Sequence, residues 1–151
     1  MKCLKYFFIL PLMFLAVNCS NAQSIEKAEG EVIVLNKADF LVKVFNYEKQ
    51  FNEWIYEGDK PCIIDFYADW CGPCKLIAPI MKELAATYKD EVVFYKIDVD
   101  VENELAAFFG IRSIPTILFV PMEGLPHKAS YALPKSTMVE HIDMFLLGKE
   151  I

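Results

Sequence analysis

Two cysteines separated by two residues, in the segment Trp70-Cys71-Gly72-Pro73-Cys74-Lys75, stand where one hydrophobic period gives way to another. Upstream, Cys62 to Tyr67 is a short apolar run with a single charge, Asp65, and reads as a strand. Downstream, Leu76, Ile77, Ile80, Met81, Leu84, Ala85 and Tyr88 recur at helical spacing. A strand that passes into a helix through this pair implies an α/β sheet, with Cys71 at the carboxyl end of a central strand. Open α/β sheets place their chemistry there. Pro79, inside the helical pattern, predicts a kink.

The flanking sequence continues the alternation. Val32 to Leu35 predicts a strand, and Asp39 is placed to cap a helix carrying Phe40, Leu41, Val44 and Phe45. Tyr47 to Tyr56 is ambiguous, and Gly58 to Pro61 predicts a turn. Val92 to Val99 follows as a strand, then a helix from an Asp100 cap through Phe109, stopped by Gly110. Ile114 to Val120, a turn at Pro121 to Gly124, and Lys128 to Ala132 predict a hairpin. Pro134 opens a last helix with Met138, Val139, Ile142, Phe145 and Leu146 on one face and Gly148 as its end. Phe108, Phe109 and the Met and Leu positions of that helix are expected in the core. The fold expected is three-layer α/β/α around a central mixed sheet.

The first residues differ in kind. Lys2 and Lys5 precede an apolar run from Tyr6 to Val17, and small or polar residues follow, which is the pattern of a secretory signal over residues 1–22. The run is twelve residues with Pro11 inside it, whereas a membrane-spanning helix needs about 20. Ser20-Asn21-Ala22 offers a cleavage site that yields a soluble chain; Leu15 to Cys19 resembles a lipoprotein signal and would leave a lipid anchor on Cys19. Residues 23–30 read as a flexible start and 31–151 as one domain. Without the leader, 13 basic residues face 21 acidic ones. A net charge near −8 argues against nucleic acid and anionic lipid as partners.

Of the five cysteines, Cys62, Cys71 and Cys74 lie beyond the leader, too few for a disulfide-stapled scaffold. At a helix N-terminus, unpaired N–H groups and the dipole favour a thiolate, which makes Cys71 the nucleophile. Cys74, inside the first turn, is the resolving thiol that attacks a mixed disulfide. Trp70 limits solvent on one side, and Gly72-Pro73 permits a tight entry to the helix without losing a donor. A zinc site needs about four ligands, and His127 and His141 lie far from the pair in sequence, so no metal is read there. A structural bridge closing so short a loop would constrain the unfolded chain little. Asp65 is either a buried carboxylate that exchanges a proton with Cys74 or a group turned to solvent or paired with Lys96 for structure. The sequence does not decide whether the Ile114-Pro115 bond is cis. Cys62 reads as a small core residue.

Together these residues resemble the thioredoxin family from about Pro61 to Leu147, roughly two thirds of the mature chain. The likeness is carried by Asp65, six residues before Cys71, Trp70 to Lys75, Pro79, Lys96 and Ile114-Pro115-Thr116. It implies the thioredoxin fold, a cis Pro115 beside the cysteines, and an Ile114 backbone that pairs with an extended substrate strand. It also implies a redox-active Cys71–Cys74 disulfide, proton transfer assisted by Asp65 and Lys96, and no cofactor. Gly72-Pro73 between the cysteines goes with reducing members of the family. The chain departs at Tyr131, before Ala132-Leu133, where the family usually has glycine, at Tyr67 in place of a common tryptophan, and in a longer segment from Lys37 to Gly58.

The function expected is therefore a monomeric protein-disulfide reductase acting on exported, disulfide-containing proteins in the bacterial periplasm, recharged by a membrane thiol donor. A disulfide oxidase or isomerase is the alternative within the same chemistry. A binding module that uses the fold only for docking is the alternative outside it.

Overall fold

The computed structural model describes residues 30–50 and 52–150. The expected signal and all of the expected flexible start except Gly30 lie outside them. Gly30 donates its amide hydrogen to the Lys82 carbonyl at 3.0 Å.

The strands are β1 (Ile33–Val34), β2 (Cys62–Tyr67), β3 (Val93–Asp98), β4 (Thr116–Val120) and β5 (His127–Ala129). The helices are α1 (Lys37–Lys43), α2 (Gly72–Thr87), α3 (Asn103–Phe108) and α4 (Lys135–Glu140), the last continuing in π-helical winding over His141–Leu146. The sheet order is β1-β3-β2-β4-β5. β1, β3 and β2 run parallel, β4 is antiparallel to β2, and β5 is antiparallel to β4. This is the three-layer mixed architecture expected, and β2, hydrogen-bonded on both sides, is its centre.

Because side chains alternate across a strand, β2 sends Ile63 and Asp65 to one face and Cys62, Ile64 and Phe66 to the other. Ile63 joins Ile77, Met81 and Leu84 of α2 and Met138, Ile142 and Leu146 of the last helix in one apolar cluster. Ile64 and Phe66 join Phe40 of α1 and Leu105 of α3 in a second. Both clusters share the sheet, so neither helix layer has a core of its own.

Several local expectations are corrected. The cap of α1 is Asn36, not Asp39: its extended backbone lets its side-chain oxygen accept from the Asp39 amide at 2.8 Å. Asp39 instead lies in the first turn and pairs with Lys43 at 3.3 Å. Asp100 does not cap α3, which begins after Glu102 without a side-chain cap; the Asp100 carboxylate is engaged by Trp70. The β4 partner is His127–Ala129, not Lys128 to Ala132. β1 contracts to Ile33–Val34, and Tyr47 to Tyr56 forms no helix or strand among its described residues. Phe108, Met144 and Phe145 are exposed. Phe108 stacks on Tyr47 at 4.3 Å rather than entering the core. Gly110, with φ +58°, and Gly148, with φ +61°, end their helices as expected. α2 runs on through Pro79 to Thr87. Among the described residues no helix is long and apolar enough to cross a membrane.

Candidate active site

β2 ends at Tyr67, and the chain turns through Ala68 to Trp70 into α2, whose N-cap is Cys71. Cys71 and Cys74 form a disulfide with Cα atoms 5.3 Å apart. The Cys74 backbone N–H donates to Cys71 Sγ at 3.2 Å, so the first sulfur sits where the helix presents a free donor. Ala68 packs against the pair, with Tyr67, Val99 and Ile114 around it. The Ile114-Pro115 bond is cis. Sequence spacing could not bring the 114–116 turn to the cysteines. It arrives because β4 lies beside β2, with Thr116 opposite Phe66.

Asp65 faces the α2 side of the sheet and is only 5 % exposed. Its Oδ1 has no hydrogen-bond partner. Burial pushes its carboxyl up to about 7, against the opposing pull of the Lys96 charge. Asp65 and Lys96 are partners in register on adjacent parallel strands. The Lys96 ammonium lies 5.0 Å from the Tyr67 ring centre, so it meets Asp65 through its field while resting on an aromatic face. A cleft of about 200 Å³, lined by Asp65, Tyr67, Ala68, Cys74, Lys75 and Lys96, places the carboxyl and the second cysteine on one space. At about 30 Å³ per molecule it has room for several waters.

The outer surface is shaped for an approaching chain. Trp70 is 69 % exposed, and its Nε1 donates to Asp100 Oδ2 at 2.7 Å, which fixes the indole over the site. Gly72 and Pro73 are exposed, and a Cβ at Gly72 would meet nothing within 4 Å. A groove of about 400 Å³ is lined by Trp70, Val99, Ala106, Ile111, Arg112 and Ile114. Sequence reasoning missed Asp100 as the Trp70 partner and the α3 side of this groove. No local signal could have found the pair, because Trp70 and Asp100 lie 30 residues apart and meet only through the fold. Tyr131 is exposed. Cys62 is fully buried, its thiol pushed up to about 12 by burial, which keeps it a protonated core residue.

The Thioredoxin family model matches residues 41–144 of this chain. The chain belongs to the thioredoxin family. It is similar to a thioredoxin of Borreliella burgdorferi, 46 % identical over 110 residues, covering 73 % of this chain and 92 % of that one. With a Haemophilus influenzae thioredoxin it is 37 % identical, covering 78 % of this chain and 99 % of the relative. With a chloroplastic M-type thioredoxin of Spinacia oleracea it shares 39 % identity over 66 % of this chain but only 55 % of the plant protein. Among solved structures, chloroplastic thioredoxin z superposes with a TM-score of 0.63 at 26 % identity, over 74 % of this chain and 91 % of that chain. Membership of the thioredoxin family and the paired cysteines make this chain a thiol-disulfide oxidoreductase acting on protein disulfides.

Proposed function

We propose that the chain works as a reductase of disulfides in exported proteins. In its dithiol form, Cys71 Sγ is the thiolate, favoured by the helix N-terminus and by the Cys74 amide that points at it. It attacks one sulfur of a substrate disulfide: a Cys71–substrate bond forms, the substrate S–S bond breaks, and the other substrate sulfur leaves as a thiolate and takes a proton. Asp65, with its free oxygen and a carboxyl near neutrality, accepts the Cys74 proton through the cleft they share. Lys96 is the partner that holds Asp65 within this range. The Cys74 thiolate then attacks Cys71 Sγ, the intramolecular disulfide closes, and the reduced substrate departs; two electrons have passed from the pair to the substrate. Trp70, Gly72 and Pro73 form the contact surface, and the Ile114 backbone beside Pro115 supplies an edge for an extended substrate segment.

The observation that carries this reading is the Cys74 N–H on Cys71 Sγ, because it differentiates the two sulfurs. Export is supported by Lys2, Lys5 and the apolar run to Val17. In the bacterial periplasm, a membrane thiol donor returns the pair to the dithiol. The test is the equilibrium reduction potential of the pair, read with Cys74→Ser trapping in extracts of exported proteins. A potential near about −270 mV and mixed disulfides on Cys71 are expected; a value near about −120 mV would make the protein a disulfide donor instead.

A further inference from the structure

Of the 15 basic residues in the chain, Arg112 alone is an arginine. It stands two residues before Ile114, between α3 and β4, and lines the groove of about 400 Å³ in a wall that is otherwise apolar but for Ser113. The groove adjoins the reactive pair, because Ile114 packs against the cluster of Ala68, Cys71 and Cys74, and Trp70 is the chain neighbour of Cys71. Arg112 is exposed. The acidic residues of the β3–α3 stretch are committed elsewhere. Asp100 accepts from Trp70 Nε1 at 2.7 Å, and Asp98 accepts from the Asp100 amide at 2.9 Å. Glu102 accepts from the Lys37 amide, and Glu104 pairs with the Lys37 ammonium. Nor does Arg112 support the end of α3, because the Lys128 ammonium donates to the Phe109 carbonyl at 3.0 Å. The Arg112 guanidinium therefore has no hydrogen-bond or ion-pair partner among the described residues, in a chain that carries 21 acidic ones.

We propose that Arg112 is a specificity-determining residue, selecting protein disulfides whose reactive cysteine lies within about three residues of an Asp or Glu side chain. The proposal rests on the thiol exchange at Cys71 described above and adds the class of segment that enters it. Reach sets the position of the carboxylate. An extended chain advances about 3.3 Å per residue, so Arg112 lies at most about 7 Å of backbone from Ile114, and a segment running along the groove covers that span in two or three residues. Chemistry sets its nature: a guanidinium offers a planar fork that a carboxylate fills with two parallel hydrogen bonds. The apolar walls exclude water from one side of such a pair and strengthen it. The acidity of the chain as a whole does not oppose this, because charges beyond about 8–10 Å are screened at physiological salt and the contact pair decides.

The test reads the first exchange step in the Cys74→Ser chain, with and without Arg112→Gln or Arg112→Glu. The probes are single-cysteine peptides held as disulfides with 2-mercaptoethanol, in pairs identical except for Glu or Gln at one of the three positions on either side of the cysteine. Mass spectrometry follows the rate at which Cys71 acquires the peptide. The expected Glu-to-Gln rate ratio is roughly fivefold at one or two positions, the scale of a partly exposed ion pair. It should fall to about one in Arg112→Gln, invert in Arg112→Glu, and shrink toward one in about 1 M salt. A ratio near one at every position in the parent overturns the proposal while leaving the exchange chemistry intact. A ratio that persists in Arg112→Gln belongs to Lys75 or Lys96 across the disulfide and overturns it equally. The ratio is independent of reduction potential, so a strongly oxidising pair would overturn the reductase reading and not this one; failure of every peptide to react overturns both.

Discussion

Asp65 shows what one acidic residue in a core strand accomplishes. Its neighbours Ile63, Ile64 and Phe66 are fully buried, and a carboxylate in their company is desolvated with one oxygen left unpartnered. Its carboxyl is therefore raised to about 7 from an ordinary 3.8. A carboxyl raised in the folded state favours the protonated form, so its contribution to stability is complete below about pH 4 and is lost as pH rises through 7. Relative to Asp65→Asn, the parent oxidised protein should lose stability between those limits and hold a constant deficit above them. At about 1.4 kcal/mol for each pH unit, that interval sets an upper bound of about 4 kcal/mol on the deficit. Denaturant unfolding of both proteins from about pH 4 to 9 measures it, and a pH-independent difference would remove the buried-carboxyl account. The same variant should slow disulfide exchange most above about pH 7, where the carboxylate is the proton acceptor.

At the scale of elements, the ends decide more than the middles. α1 has seven residues, too short to persist without its cap and its buried Phe40. Asn36→Ala should cost about 1 kcal/mol in thermal or denaturant unfolding, whereas Asp39→Ala should cost less, because its exposed pair with Lys43 contributes little. α1 is also held to α3: the Lys37 ammonium lies 2.8 Å from Glu48 and 2.7 Å from Glu104, and the Lys37 amide donates to Glu102. Gly110 matters for a different reason, since its φ of +58° is costly for any residue with a Cβ. Gly110→Ala should destabilise by about 1 kcal/mol, measured in the same unfolding experiments, although a Cβ there would have open space around it. In the last helix, the periodic face anticipated from sequence is right for Met138, Ile142 and Leu146 and wrong for Phe145. The residues from His141 adopt π winding, which rotates later side chains away from the positions that a 3.6-residue repeat assigns.

For the whole molecule, the central sheet is a shared wall. Phe66 of β2 packs near Phe109 with ring centres 5.6 Å apart and belongs to one cluster, while Ile63 of the same strand belongs to the other. Loss of either cluster exposes the same strand, so the domain should unfold in a single transition, with far- and near-ultraviolet circular dichroism coinciding. Phe66→Ala should lower global stability by about 3–5 kcal/mol while keeping one transition; separate transitions would show two independent cores. The strand-to-helix passage at Cys71, the bounds of β2, the alternation of layers and the cysteine pair were legible in the sequence, because each depends on periodicity or on residues within one turn of each other. The orphaned Asp65 oxygen, the arrival of Ile114 beside the disulfide and the Trp70–Asp100 hydrogen bond were decided by tertiary structure alone. Each depends on strand order and register, which bring residues distant along the chain into one neighbourhood through the burial of two apolar faces on a common sheet.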